Sequence, residues 1–229
     1  MKKLQLAQIN PAFTLAEIMK LSKKVFFVLV VASALVSCKD EESDTKPIDE
    51  EPVIEYSDKP PFYPIDFEEK GFGANWTWTV FENDDNPPIE FVANPDASGI
   101  NTSKTVAKIT ARKNGANWVG CETKHGADIG SFRFDETNKI VKVLVYKSVI
   151  SDVALKFAEY APPGVGADAQ PEIKVANTKI NEWEELTFDL SGSIGKGATG
   201  IIDQLILFPD FKARSSDNII YFDNIRFGN

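Results

Sequence analysis

Two tryptophans spaced two apart, Trp76 and Trp78, a third at Trp118, and the nearby Glu122 and His125 are the side chains of this 229-residue chain most suited to chemistry. That chemistry is recognition rather than bond-breaking: flat apolar rings bordered by groups that accept and donate hydrogen bonds. On an extended strand Trp76 and Trp78 project to one side together with Val80, while Thr77 and Thr79 project to the other. Their surroundings, Gly71, Gly73, Asn75, Glu82, Asn83, Asp84 and Asp85, are polar and turn-prone, which predicts exposed rings. Glu122 falls on the Trp118 side of its segment by alternation, and Trp183, ahead of a cleanly alternating run, reads as a packing residue capping the core. The catalytic inventory is thin. A single histidine excludes a multi-histidine metal centre within the chain, and HExxH, GxSxG and GxxxxGK[ST] are all absent. Acidic residues are plentiful, and a glycosidase pair needs only two carboxylates at about 5–10 Å, a separation that residue counts leave open.

The elements that must position these groups are strands. Eleven short runs rich in β-branched and aromatic residues recur, over 65–69, 76–81, 89–92, 105–111, 118–123, 140–146, 153–160, 172–176, 186–190, 205–208 and 219–227, separated by turn chemistry such as Asp84-Asp85-Asn86-Pro87-Pro88, Lys113-Asn114-Gly115 and Ser191-Gly192. Leu186-Thr187-Phe188-Asp189-Leu190 alternates cleanly, with three apolar side chains facing one way. Residues 61–229 are the length of one domain with a single core, and the pattern predicts an all-β, two-sheet antiparallel β-sandwich of jelly-roll type. Cys121 stands alone once Cys38 is accounted for, and reads as a small buried hydrophobe.

Ahead of the domain, Lys20, Lys23 and Lys24 precede a run from Val25 to Val36 that is apolar except for Ser33. Twelve residues are too few for a membrane span of roughly 20, and the order of charge, apolar run and small residues is that of a secretory signal. Leu35-Val36-Ser37-Cys38 resembles the site at which bacterial lipoproteins are lipidated on cysteine and cleaved just before it. The expectation is a signal peptide over 1–37, complete if translation starts at Met19, and a mature chain beginning at lipidated Cys38. Lys39-Asp40-Glu41-Glu42 resembles the acidic export signal that carries Bacteroidota lipoproteins to the outer face of the outer membrane. Residues 38–60 hold nine acidic side chains and prolines at 47, 52 and 60, the composition of an extended, self-repelling tether. Five of the 25 basic and one of the 34 acidic residues precede Cys38, leaving 20 against 33 after it. Nucleic acid is a poor partner for that field.

Five segments in order carry a resemblance: residues 91–103, Trp118-Val119-Gly120, 140–146, 181–189 and Tyr221-Phe222-Asp223-Asn224-Ile225. Together they look like the carbohydrate-binding-module-like β-sandwich found in Bacteroidota laminarinases and in stand-alone surface glycan-binding lipoproteins. The resemblance implies a galactose-binding-like jelly roll that binds a polysaccharide without cutting it, with laminarin, a β-1,3-glucan, favoured, and with an outer-membrane glycan importer as a companion. A sugar offers an apolar C–H face and a rim of hydroxyls, so Trp76, Trp78 and Trp118 are expected to form its platform, with Glu122, His125 and the Asn/Asp loop residues as the polar border. By similarity to related modules the resemblance also implies a structural calcium held by Glu68 and Asp223, with backbone oxygens of the Asp96–Ser103 loop. A plain reading of Glu68 and Asp223 as outward strand residues stands beside it. The rival to glycan capture is a surface adhesin or accessory subunit whose tryptophans meet a protein.

Overall fold

The computed structural model describes residues 63–159, 169–196 and 201–229. The signal, Cys38 and the tether over 38–60 lie outside the described residues. Among the described residues ten strands form two five-stranded antiparallel sheets. Sheet I has the order β1 (Trp78–Phe81), β4 (Gly120–Thr123), β9 (Ile202–Phe211), β6 (Asp152–Glu159), β7 (Ile173–Ala176). Sheet II has the order β2 (Glu90–Ala93), β3 (Thr105–Ala111), β10 (Asn218–Gly228), β5 (Ile140–Lys147), β8 (Trp183–Asp189). Only β2–β3 and β6–β7 are consecutive strands paired with each other; every other connection passes between the sheets. Among the described residues no helix is long and apolar enough to cross a membrane.

Strand alternation builds the core. Val80, Cys121, Val153, Leu155, Phe157, Leu205 and Leu207 point inward from sheet I and meet Ile109, Val141, Val143, Val145, Leu186, Phe188, Ile220 and Phe222 from sheet II. Cys121 is fully buried, and that burial pushes its thiol far above the ordinary range, which leaves it inert.

Ten strands replace the eleven expected, because local side-chain hydrogen bonds compete with the ladder. At the expected strand over 65–69 only Ile65 pairs, with Ile225; Asp66 Oδ1 then accepts the amide of Glu68, and Asp66 O accepts that of Gly73, turning the chain. The expected strand at Trp76 begins two residues later. The Trp76 amide is taken by Gly73 O and that of Thr77 by Asp128 Oδ2. In the last strand the register shifts between Asp223 and Arg226, where Asn224 adopts φ +51° and lets Ile225 swing out to Ile65.

Candidate ligand-binding face

The outward face of sheet I is not the polar surface that alternation would produce. Cross-strand register defines one row as Thr79, Glu122, Ile206 and Lys156 on β1, β4, β9 and β6. The adjacent row is Phe81, Gly120, Phe208, Ala154 and Lys174, running from β1 to β7. Across five strands such a row spans about 19 Å. The small residues are what let the rings lie across it: Phe81 and Phe208 meet edge to face at 5.7 Å over Gly120, and Phe208 meets Phe211 at 5.7 Å. A side chain at Gly120 would run into the Phe81 ring and come within 2.9 Å of Leu207 O, so only glycine fits. Ile206, Phe208, Ala154 and Ala158 form an apolar cluster here, separate from the central core, joined by Phe81, Ala169 and Phe211.

Lysines stand over these rings. Lys156 Nζ is 5.7 Å from the Phe208 ring centre and Lys174 Nζ is 3.8 Å from that of Phe211. Lys174 also pairs with Glu172 at 3.3 Å. Phe208 is buried among its apolar neighbours, while Phe81 and Phe211 are half-buried. Glu122 lies half-buried on this face. Burial raises its carboxyl above the usual carboxylate range, and the nearby His125 and Lys156 charges pull it back. Trp118, in the turn leading into β4, is 50% exposed.

The five side chains expected to bind ligand are therefore divided. Glu122 belongs to the face of sheet I, and Trp118 is exposed in the turn that leads into β4. His125 follows β4 at its far end, where Nδ1 lies 2.6 Å from Oδ1 of the fully buried Asp203. Trp78 is 9% exposed and belongs to the core, which corrects the expectation of an exposed ring. Its Nε1 donates to Gly73 O, and its ring packs against Phe67 at 5.7 Å and Phe222 at 6.0 Å. Trp76 is half-buried, stacked on Trp78 at 6.2 Å with Phe72 at 5.1 Å on its other side. Trp78 pairs with Thr123, five residues beyond Trp118, so about 17 Å of strand separates the two groups. They do not make one platform. Trp183 is buried as expected, but against the outward face of sheet II, with Val106 and Leu144, and its Nε1 donates to Asn94 Oδ1.

Of the rings that replace them, Phe208 had a signal in the sequence, whereas Phe211, of opposite parity, reaches the same face only through the register shift between Asp152 and Ala154. Leu205-Ile206-Leu207-Phe208 is a continuous apolar run in a strand whose sheet is covered on one side only, so alternate residues had to face outward.

Glu68 and Asp223 converge on one loop. Glu68 Oε1 accepts the amides of Lys104 and of Thr105, the latter at 3.1 Å, while Asn224 bridges Asp223 Oδ2 at 3.1 Å and Ser103 Oγ at 3.3 Å. Asp223 is fully buried and its Oδ1 lacks a partner. Burial pushes its carboxyl up, and the Asp66 charge adds to the rise. A buried, unsatisfied carboxylate oxygen beside a second carboxylate suits a hard cation. Among the described residues no group of three or more His, Cys, Asp or Glu side chains is placed to hold a metal, so neutral oxygens would have to supply the remaining ligands.

No protein-family model matches the chain, and no curated protein matches it. Among solved structures it is similar to a family 28 carbohydrate-binding module specific for non-crystalline cellulose, at 10% identity over 76% of this chain and 97% of the module, with a TM-score of 0.47. It is also similar to the family 11 module of Clostridium thermocellum in complex with a β-1,3-1,4-mixed-linked tetrasaccharide (11% identity, 73% and 95% coverage, TM-score 0.44). A third is the first family 22 xylan-binding domain of Paenibacillus barcinonensis Xyn10C (14%, 76% and 98%, 0.42). At TM-scores below 0.5 the function has to be argued from this chain's own residues.

Proposed function

We propose that this chain is a non-catalytic glycan-binding protein that captures a polysaccharide on the outward face of sheet I. Laminarin is the favoured ligand, and capture takes place at the cell exterior, from a lipid anchor on Cys38 and beside an outer-membrane importer. The observation that carries the binding role is the connected group of Phe81, Phe208 and Phe211 on a sheet face that alternation would otherwise make polar, with Trp118 exposed in the turn that leads into its strand β4. A sugar has an apolar C–H face and a rim of hydroxyls; rings take the first, and Glu122, Lys156 and Lys174 take the second. The lysine heads yield to it. Stacking a hexose on a ring removes on the order of 100 Å² of apolar surface from water, or about 2.5 kcal/mol. An exposed ammonium–ring contact contributes about 0.5–1 kcal/mol.

Laminarin is favoured by the five-segment resemblance, and the exterior location by the residues from Leu35 to Glu42. Weak sites on a tethered protein suit capture, because many copies raise the effective concentration. The test is calorimetric titration with laminarin and with soluble β-1,4-glucan and xylan. Saturable binding of laminarin, tightest among the three, is the expected result. Failure to bind any of them, in titration and in native affinity gels, overturns the glycan reading.

A further inference from the structure

One cation in the structure does more than its place in the sequence suggests. Arg214 lies in the connection between β9 and β10, and its side chain is fully buried. Its donors go to backbone carbonyls of two separate loops. Nε donates to Arg112 O at 2.9 Å, and Nη2 donates to Gly115 O at 3.2 Å and to Ala116 O. On the other side Nη1 donates to Asp210 O at 2.9 Å and Lys212 O at 3.1 Å. The charge is balanced by Asp210, whose Oδ2 lies 3.6 Å from Nη1 and accepts from Asn218 at 2.9 Å. Asp210 stands on β9 between Phe208 and Phe211, and Ala116 lies two residues before Trp118. A second tie joins the same loops, since Asp217 Oδ1 accepts the Lys113 amide at 2.8 Å.

We infer that Arg214 is a positioning residue for ligand binding: it fastens the turn that carries Trp118 to the strand that carries Phe208 and Phe211, so the exposed ring is held ready just ahead of β4. The inference rests on the proposed glycan-binding role of that face. Only arginine suits the task. Its planar fork presents five N–H groups in fixed directions, whereas lysine has three donors on one atom and cannot reach carbonyls on both loops at once. A ring already held in place pays little ordering cost on binding, and ordering a free side chain costs roughly two- to tenfold in affinity.

The experiment is a double-mutant cycle on the full chain, Arg214→Lys with Trp118→Ala, titrated with laminarin. Acrylamide quenching of the fluorescence difference between proteins with and without Trp118 accompanies it. Arg214→Lys is expected to weaken laminarin binding roughly two- to tenfold, to have no further effect once Trp118 is alanine, and to raise the quenching of Trp118. Equal losses in both backgrounds, or unchanged quenching, overturn the inference. If Arg214→Lys fails to fold, Asp217→Ala cuts the second tie at an exposed position. It is then expected to show the same dependence on Trp118, and additivity there overturns the inference too. Should the parent bind no glycan, the functional proposal falls while the quenching comparison still decides what Arg214 does.

Discussion

Trp78 and Trp118 are the same residue type with opposite work to do. Trp78 is wedged among Phe67, Trp76 and Phe222, so Trp78→Ala leaves a cavity and is expected to cost about 3–5 kcal/mol of stability in a thermal or denaturant melt. Trp118 is half in solvent, so Trp118→Ala is expected to melt within about 0.5 kcal/mol of the parent and to bind laminarin about tenfold more weakly by calorimetry. Asp223 offers a second residue-scale test. Its raised carboxyl means that, without a cation, this group favours the folded state when protonated, and its contribution is lost as pH rises through the elevated value. Calcium needs the ionised form. Millimolar chelator at neutral pH is expected to lower the melting temperature and calcium to restore it, by mass action on the folded state. Asp223→Asn is expected to be insensitive to both, and no response in the parent would sink the expectation that Glu68 and Asp223 hold calcium.

At the scale of strands, Gly120 decides the site. Gly120→Ala presses on the Phe81 ring and on the Leu207 carbonyl, and is expected to weaken laminarin binding more than Trp118→Ala does, with a loss of stability that Trp118→Ala does not show. The strands themselves were legible from composition. β3 (Thr105–Ala111) lies where its β-branched run predicts, and most others are displaced by a residue or two at their ends. What could not be read was which face each ring takes. Polar neighbours around Trp76 and Trp78 suggested exposure, yet Val80, of the same parity, faces the core, and the tryptophans follow it inward. The Arg214 staple was equally invisible, because it joins segments about a hundred residues apart through carbonyls that every residue possesses.

Buried charge also acts between strands. Lys147 on β5 lies with Nζ 2.6 Å from Ser151 Oγ and 3.8 Å from Asp210 Oδ1, the Lys147 and Asp210 side chains being fully enclosed. Burial lowers its ammonium to about 8, against the pull of Asp210. A lysine whose folded pKa lies below its unfolded one carries a penalty that is complete below about pH 8 and fades as pH rises toward 10.5. Stability from this group is therefore expected to rise across that window. Lys147→Met should remove the rise, which melts at a series of pH values on parent and variant would show.

For the whole molecule, the prediction concerns where it stands. Cys38→Ser is expected to leave the precursor without lipid and off the membrane. Replacing Lys39-Asp40-Glu41-Glu42 by alanines is expected to keep the lipid and lose surface display. Protease shaving of intact cells reads the difference, and undiminished cleavage of the alanine variant would refute an export role for the acidic run.

The ammonium heads resting on Phe208 and Phe211 bear on crowding. A sheet bearing a cluster of rings is ordinarily a surface to which further copies of the same chain adhere. Here the Lys156 head and the Lys174 head, the latter paired with Glu172, stand between the rings and a neighbouring copy, and bringing them into an apolar contact would strip water from charge. A densely populated layer can in this way remain non-sticky toward itself and yet open to an uncharged chain.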